Sequence, residues 1–197
     1  LAGCGVDNAL IKIDGLEVPI MDGSAAPFVT LIDQAGLVEL KAQRKVIRIL
    51  KPVEVKCGES HAILTPADEC LLDVKIDFKG TVVSDQGLKM GLVNGAFCKE
   101  LAEARTFGFL DEVEAMRAAG LVKGGSLDNA IIVDGIDILN KEGLRFKDEF
   151  VRHKMLDALG DLYLAGALII GRFSGLKCGH SINNKLLRAL FADTQAW

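Results

Sequence analysis

The 197-residue chain has little of what marks nucleic-acid-binding, membrane or disulfide-rich proteins. Its net charge of −4 offers no general attraction to nucleic-acid phosphates or anionic lipids, and it lacks a stripe of Lys and Arg interleaved with aromatic residues. No apolar run approaches the roughly 20 residues that span a bilayer, and no secretory leader is visible. We therefore expect a cytoplasmic protein with no nucleic-acid partner and no stable insertion into a membrane.

Cysteine is present, but without a pattern that would give it a structural task. The five cysteines are odd in number, widely separated and free of any CxxC pair, which argues against a disulfide framework and against a thiolate zinc site. We expect reduced thiols at all five positions, which are Cys4, Cys57, Cys70, Cys98 and Cys178.

What the chain does have is the composition of a globular protein, with half of its residues hydrophobic and a quarter charged. Its length is enough for one large domain or two small ones, each with a core of its own. Strand-like and helix-like segments alternate in blocks and not in strict βαβ units, which predicts an α+β fold of sheets covered by helices. The charged stretch 41–45 is the best candidate for a linker.

Hydrophobic periodicity and turn residues place the individual elements. An alternating run predicts a strand over residues 8–13, and a helix is expected from about Ala26 to Gln34. A longer helix, over 149–165, has Asp148 as its expected N-cap. Further strands are predicted within 46–56, 61–66, 70–78, 121–135 and 167–179, and further helices over 95–104, 111–120 and 180–192.

The two ends of the chain affect how the rest is interpreted. The chain opens without Met on residues typical of the last turn of a helix, followed by a stop signal at Gly3 or Gly5. It stops soon after another predicted helix. We expect a fragment that is truncated at both ends.

The stretch EFVRHKMLDALGDL puts His153, Asp157 and Asp161 at four-residue steps, on one stripe of the predicted helix. On a helical wheel the apolar side chains cluster on the far side, so a solvated face is the simpler interpretation. A metal site is the alternative, since a His and a carboxylate one turn apart can both bind one Zn²⁺. Two protein ligands are too few for a catalytic zinc, which normally has three and a water.

A third ligand has to come from elsewhere, and the chain contains two other His. His61 lies in a strand-like run, where an exposed or edge-strand His is the default. His180 lies at the junction of a strand and a helix, a position from which a side chain can point into a cleft. A His without a task at a helix N-terminus would have the same sequence signature.

Five segments of the chain are long and specific enough to compare with known families. In chain order they are EVPIMDGSAAPFV, ARTFGF, GGSLDNAIIVD, EGLRFKDEFVRHKMLDALGDLYL and KCGHSINNKLLRAL. Together they resemble the zinc-dependent UDP-3-O-acyl-N-acetylglucosamine deacetylases of lipid A biosynthesis. The resemblance implies a two-domain layered α+β sandwich with zinc and substrate in the cleft between the domains. Residues 1–40 would form the C-terminal part of the first domain, and residues 41–45 would be the linker between the domains. Residues 46–197 would form the second domain, with an insert at about 108–134.

The same resemblance implies roles for single residues. His153 and Asp157 would bind the Zn²⁺ cofactor. His180, supported by Asp161, would be the catalytic acid, and Thr106 would hydrogen-bond the developing oxyanion. The protein would act on a small-molecule UDP-sugar and release acetate from its N-acetyl group. We also expect a monomer, although no sequence feature specifies the oligomeric state. The substrate contacts would be Lys154, Phe107, Lys177 and Phe78, with Val113, Leu121 and Val122 lining a hydrophobic passage for the acyl chain.

Two features depart from the family's pattern. Leu176 and Cys178 stand where the family usually has an aromatic residue and a Ser, which puts phosphate or sugar contacts at these positions in question. The family's third zinc ligand, a His preceded by the Glu that acts as general base, would fall on the order of five residues before Leu1. We therefore expect the 197-residue chain alone to bind zinc weakly and to have little or no deacetylase activity.

Two other functions remain open from the sequence. One is a non-catalytic binding module that has kept this fold, although all five residues of the implied catalytic and metal site are retained together. The other is a zinc amidohydrolase for a different nucleotide sugar, because the sequence does not show acyl-chain length or sugar identity. A Glu-His pair encoded directly upstream of Leu1 would favour the deacetylase.

Overall fold

A computed structural model describes residues 1–93, 95–118, 120 and 124–197 of the chain. Within these residues the strands and helices form an α+β arrangement, which confirms the predicted fold class. No helix in this described part is long and apolar enough to cross a membrane. A 3-10 turn covers Ala2–Cys4, and the helices are α1 (Ala26–Ala35), α2 (Ala96–Glu100), α3 (Leu110–Ala118), α4 (Glu149–Tyr163) and α5 (His180–Ala192). The strands are β1 (Val46–Arg48), β2 (Val53–Cys57), β3 (Ser60–Thr65), β4 (Cys70–Ile76), β5 (Gln86–Gly91), β6 (Phe107–Phe109), β7 (Ile131–Asp134), β8 (Asp137–Ile138) and β9 (Leu168–Leu176).

The larger sheet is built around β9. Its strand order is β2-β3-β9-β4-β5, and β1 pairs with the beginning of β9. The central strand runs parallel to β1 and β4 and antiparallel to β3. Because β9 ends at Leu176 and α5 begins at His180, His180 lies close to the C-terminal end of the central strand.

One face of this sheet carries the core. Leu64, Leu72 and Phe173 occupy paired positions on β3, β4 and β9 and are almost completely buried. Helices α4 and α5 pack against the sheet and against each other, while the alternate positions of the strands are more exposed, as is usual for a sheet with one solvated side. Burial of each such Leu or Phe contributes about 1.5–3 kcal/mol. The packing therefore fixes α4 beside α5 and determines which of their polar residues meet.

A smaller sheet packs against the start of α4. Strands β6 and β7 are parallel, with α3 between them in sequence, and β8 pairs antiparallel with β7. Phe107, the first residue of β6, packs edge-on against Phe150 of α4, with 5.0 Å between the ring centres. This contact holds β6, and Thr106 just before it, against the helix that carries the candidate metal ligands.

Most predicted elements are present, with ends that differ by a few residues. Asp148 is the N-cap residue of α4 as predicted, and its carboxylate accepts a hydrogen bond from Arg152 Nε at 2.6 Å, one turn into the helix. The helix predicted over 95–104 is shorter than expected, because α2 ends at Glu100.

The strand predicted over residues 8–13 is wrong. This stretch is exposed along its whole length and forms no ladder with any strand that the structure describes. Leu10, for example, is 86% exposed. An alternating apolar pattern becomes a strand only where a neighbour exchanges backbone hydrogen bonds with it, and the pattern alone does not say whether one is present.

Candidate functional site

The polar stripe of α4 is largely covered in the folded chain. The side chains of His153, Asp157 and Asp161 are 10%, 16% and 15% exposed. The prediction of a solvated face from the helical wheel is therefore wrong. The segment at Ala104 and helix α5 cover this side of α4. Polar groups that are buried to this degree need partners, and their partners define the candidate site.

His153 is held as a neutral imidazole. Its Nδ1 lies 2.9 Å from the backbone oxygen of Ala104, which can only accept, so Nδ1 carries the hydrogen and Nε2 keeps its lone pair. Burial lowers the pKa of His153 from its usual value, although the nearby Asp157 carboxylate acts in the opposite direction. A neutral His with a fixed tautomer is the form that binds a metal ion.

The free nitrogen of His153 faces a carboxylate. Nε2 lies 3.5 Å from Asp157 Oδ1, so two atoms with lone pairs point toward each other. Two ligands on a tetrahedral zinc ion, each bound at about 2.0–2.2 Å, are about 3.4 Å apart. The pair therefore fits two positions of such an ion. The described residues contain no group of three or more His, Cys, Asp or Glu that could hold a metal.

Lys154 neutralises the other oxygen of Asp157. Its Nζ donates a hydrogen bond to Asp157 Oδ2 at 2.9 Å and lies 5.4 Å from the centre of the Phe107 ring. One oxygen of Asp157 is thus directed toward His153, and the other is paired with an ammonium group. The structure brings the predicted substrate residues Lys154 and Phe107 together beside the candidate ligand pair.

His180 and Asp161 form a second pair, one turn further along α4. His180 Nδ1 lies 2.9 Å and 3.0 Å from the two oxygens of Asp161. Because an ionised carboxylate can only accept, Nδ1 donates, and Nε2 remains available for another partner. The His180 side chain is 73% exposed while that of Asp161 is 15% exposed. An accessible imidazole oriented by a buried carboxylate can transfer a proton at Nε2.

Thr106 is positioned through its backbone. Its amide donates to the Gly23 oxygen at 2.8 Å, and its carbonyl accepts from the Ile131 amide at 2.8 Å. Gly23 has a φ of +83°, and a Cβ there would collide with the backbone oxygen of Asn129. The close approach of this loop, which needs a glycine, therefore holds Thr106 in place.

The loop that carries Gly23 is anchored by Asp22. Its Oδ2 accepts a hydrogen bond from Arg145 at 2.8 Å, and its Oδ1 accepts from the Ser24 hydroxyl at 2.8 Å and the Ser24 amide at 3.1 Å. Partial burial raises the pKa of Asp22, but the hydrogen bonds from Arg145 and Ser24 outweigh it and bring the pKa below its usual value. The ionised carboxylate thus fixes the loop against Thr106.

We expect Gly23→Ala to lower the free energy of unfolding by about 2 kcal/mol. A side chain at this positive φ costs about 1 kcal/mol, and the collision with Asn129 adds a similar amount. Urea unfolding measures the change. The matched control is Gly58→Ala, which has a φ of +58° and open space around its Cβ, so its loss should be about half as large. Equal losses in both variants would contradict the close approach at Gly23.

Aromatic rings form an apolar surface next to the ligand pair. The Phe107 ring centre lies 6.1 Å from that of Phe78 and 6.2 Å from that of Phe109, and Phe78 lies 5.1 Å from Phe109. Phe78 is 36% exposed, so the group has an accessible rim. The predicted substrate residues Phe78 and Phe107 therefore do lie together.

Lys177 is paired with two carboxylates. Its Nζ lies 2.8 Å from Glu59 Oε2 and 3.5 Å from Asp77 Oδ2. The hydrogen bond to Glu59 raises the pKa of Lys177. A phosphate group that binds Lys177, as predicted, would have to replace the exposed Glu59 as its partner.

The structure describes only one of the three residues that are predicted to line an acyl passage. Val113 is buried in α3, in close contact with Gly108 of β6. Leu121 and Val122 lie outside the described residues. The passage and the insert at about 108–134 stay predictions.

The two departures from the family's pattern differ in their surroundings. Cys178 is 7% exposed, and burial raises the pKa of its thiol to about 11. A Cβ on Gly175 would come within 2.5 Å of the Cys178 sulfur, which shows how tightly the thiol is packed. Leu176 is 41% exposed. A substrate contact from the Cys178 side chain does not fit this burial.

One group near the site was not predicted from the sequence. Glu149, fully buried at the start of α4, accepts hydrogen bonds from the Arg105 amide at 3.0 Å, Arg105 Nε at 2.9 Å and the Arg145 amide at 2.6 Å. Since Arg105 lies between Ala104 and Thr106, this ion pair ties their segment to α4. Its sequence signal was present, because Glu149 precedes His153 by four residues and begins the same stripe.

Asn183 is the second residue that was missed. Its Nδ2 donates a hydrogen bond to Asp161 Oδ2 at 2.8 Å. It follows His180 by three residues on α5, a spacing that puts both on one side of the helix. The spacing could have indicated it.

Comparison with known proteins gives one consistent result. A model of the family described as UDP-3-O-acyl N-acetylglycosamine deacetylase matches residues 1–192. Proteins named UDP-3-O-acyl-N-acetylglucosamine deacetylase from Phenylobacterium zucineum, Shewanella frigidimarina and Acidithiobacillus ferrooxidans are 53%, 49% and 51% identical to this chain. The alignments cover 98%, 100% and 100% of this chain and 66%, 65% and 66% of the three relatives. The chain thus spans about two thirds of the length of these relatives.

Proposed function

Because the chain belongs to the UDP-3-O-acyl N-acetylglycosamine deacetylase family, we propose that the protein hydrolyses the N-acetyl group of UDP-3-O-acyl-N-acetylglucosamine in a zinc-dependent reaction. The products are acetate and the free amine, and the reaction belongs to lipid A biosynthesis in the bacterial cytoplasm. The names of the relatives support the substrate. The observation that carries the proposal is the order along α4, where the His153–Asp157 pair is followed one turn later by Asp161 with His180.

Zinc would be held by His153 Nε2 and Asp157 Oδ1, together with ligands beyond this pair. The hydrogen bond from His153 Nδ1 to Ala104 supports this role, because it fixes the ring and keeps the ligand nitrogen free. When bound, zinc supplies Lewis-acid activation of water and of the amide carbonyl.

The remaining residues of the site would stabilise the developing negative charge, transfer a proton and bind the substrate. The Thr106 hydroxyl would hydrogen-bond the carbonyl oxygen as it gains negative charge, the kind of contact that usually contributes most to such reactions. As the bond between the carbonyl carbon and the nitrogen breaks, the His180 imidazolium would give the proton on Nε2 to the departing amine and become the neutral imidazole with its hydrogen on Nδ1. Lys154 and Phe107 would contact the glucosamine part, and Lys177 would contact the diphosphate.

Weak zinc binding is expected for the 197-residue chain alone. The described residues offer two donors where a catalytic zinc needs three, and the missing ligand lowers the affinity. Equilibrium dialysis against zinc measures this directly. Stoichiometric zinc that stays bound through dialysis would contradict the expectation and would point to another ligand in this chain.

Activity is best assayed in a protein of the relatives' full length that carries these 197 residues. The substrate is UDP-3-O-acyl-N-acetylglucosamine, and the matched control is UDP-N-acetylglucosamine, which lacks the acyl chain. We expect acetate release from the acylated substrate alone, its loss after zinc removal with a chelator, and its return on addition of zinc.

Each other outcome identifies a different function. Acetate release from both sugars would indicate a zinc amidohydrolase with another preference. Zinc binding or UDP binding without any acetate release would support the non-catalytic binding module.

A further inference from the structure

Asn183 is a buried polar residue to which the proposed reaction gives no role. It lies in the first turn of α5 and is 1% exposed. Its Nδ2 lies 2.8 Å from Asp161 Oδ2. Because an ionised carboxylate accepts and never donates, the amide nitrogen must face Asp161, which fixes the orientation of the Asn183 amide.

The oxygen of the same amide lowers the stability of the fold. Among the described residues, the buried Asn183 Oδ1 has no hydrogen-bond partner. A buried acceptor without a partner destabilises the folded chain. The adjacent positions of α5 that face the core are apolar, with Ile182 and Leu186 both buried, so an apolar side chain at 183 would suit the packing better. A polar residue that conflicts with its surroundings in this way is typical of a functional site.

We propose that Asn183 is a positioning residue, which holds the Asp161 carboxylate in the orientation that His180 needs. Asp161 takes one hydrogen bond from Asn183 on Oδ2, while both of its oxygens lie within reach of His180 Nδ1. With Oδ2 held, the carboxylate does not rotate away from the imidazole. The neutral imidazole of His180 then keeps its hydrogen on Nδ1, and the proton that the imidazolium carries in addition lies on Nε2, which is directed outward.

The consequence for catalysis rests on the proposed function, whereas the consequence for the imidazole does not. His180 Nε2 transfers a proton only while Asp161 holds the ring in place. Loss of the Asn183 hydrogen bond therefore lowers kcat and leaves KM nearly unchanged, because the proton moves in the transition state and not on substrate binding.

Two variants separate the hydrogen bond from the fold. Asn183→Leu has a similar volume, removes the donor and also removes the unpaired acceptor, so its melting temperature should equal or exceed that of the wild type. Asn183→Asp keeps the shape and replaces the donor by an acceptor, and it serves if the first variant does not fold. The matched control is Asn184→Ala, on the same turn of α5, since Asn184 is exposed and its Oδ1 accepts from Arg188 Nε at 2.8 Å.

The first readout is the pair of imidazole nitrogen signals of His180, from nitrogen-15 NMR of the 197-residue chain. At a pH at which the imidazole is neutral, we expect a single tautomer with the hydrogen on Nδ1 in the wild type and in Asn184→Ala. In both Asn183 variants we expect a mixture of tautomers. The second readout is steady-state kinetics in the full-length protein, where kcat should fall about 10-fold, the factor expected from one hydrogen bond to a charged group.

A His180 spectrum that is the same in the wild type and in both Asn183 variants would overturn the proposal. An unchanged kcat with a mixture of tautomers would remove the catalytic part and leave the positioning itself established. If the full-length wild type releases no acetate, the proposed function fails, and the NMR comparison still decides whether Asn183 positions Asp161 and His180.

Discussion

His180→Ala should lower kcat for acetate release by about 10²–10⁴-fold, the range that a positioned general acid contributes. The imidazole is 73% exposed and is oriented by Asp161, so its removal takes away the proposed proton donor without opening the core. KM should change little, because the proton is transferred in the transition state. Steady-state rates of acetate release in the full-length protein measure both constants.

The control for this variant is His61→Ala. His61 belongs to β3, its Nε2 lies 2.7 Å from Glu54 Oε1, and it is not among the residues proposed to act in the reaction. It should leave kcat within about two-fold of the wild type, since the proposed reaction gives His61 no role. Zinc content should be equal in both variants, since neither residue is a proposed ligand. A His180→Ala enzyme that keeps turnover within a few-fold of the wild type would show that another group is the acid.

Glu149→Leu should destabilise the folded chain by about 3–5 kcal/mol, the range for removing one partner of a buried ion pair. The Arg105 and Glu149 side chains are 5% and 0% exposed, so the guanidinium that remains keeps Glu142 and the Gly143 oxygen as partners but leaves its buried Nε without an acceptor. The Arg105 and Arg145 amides also lose their acceptor. Urea unfolding at neutral pH measures the free energy change.

Two comparisons test whether burial of the charge is the cause. The double variant Arg105→Met with Glu149→Leu removes both charges and should recover part of the lost stability, though not the part due to the two amides. Lys89→Ala breaks the exposed pair with Asp73, in which the Lys89 side chain is 74% exposed, and should cost less than about 1 kcal/mol. A loss in Glu149→Leu as small as in Lys89→Ala would refute the role of the buried pair.

The family resemblance predicted more residues of the candidate site than hydrophobic periodicity did. The spacing of His153, Asp157 and Asp161 was visible in the sequence, but the helical wheel favoured a solvated face. A wheel describes one helix and contains no information about the segment at Ala104 or the helix α5 that cover it. The segments that resemble the family predicted that His180 acts with Asp161 of this stripe. In the structure the two side chains are in contact.

Three of the errors have the same physical origin. The strand expected over residues 8–13 needs a partner strand, and the sequence pattern does not specify one. The helical spacing of Glu149 and Asn183 was visible, but their roles were missed because each role is defined by a contact between segments that are far apart in the chain. Local patterns report propensity and amphipathicity, and neither depends on such contacts.

The sequence by itself determined the α+β class, the approximate ranges of α1, α3, α4 and α5, and, through its motifs, the family. These depend on local periodicity, on turn residues and on long specific segments, all of which are present in the chain as written. Only the tertiary structure decided that His153 is neutral with Nε2 directed at Asp157, that Asp161 holds His180, and that Glu149 and Asn183 support them. Those properties arise when the sheet packs α4 against α5, because burial and long-range hydrogen bonds then set the protonation and orientation of each side chain.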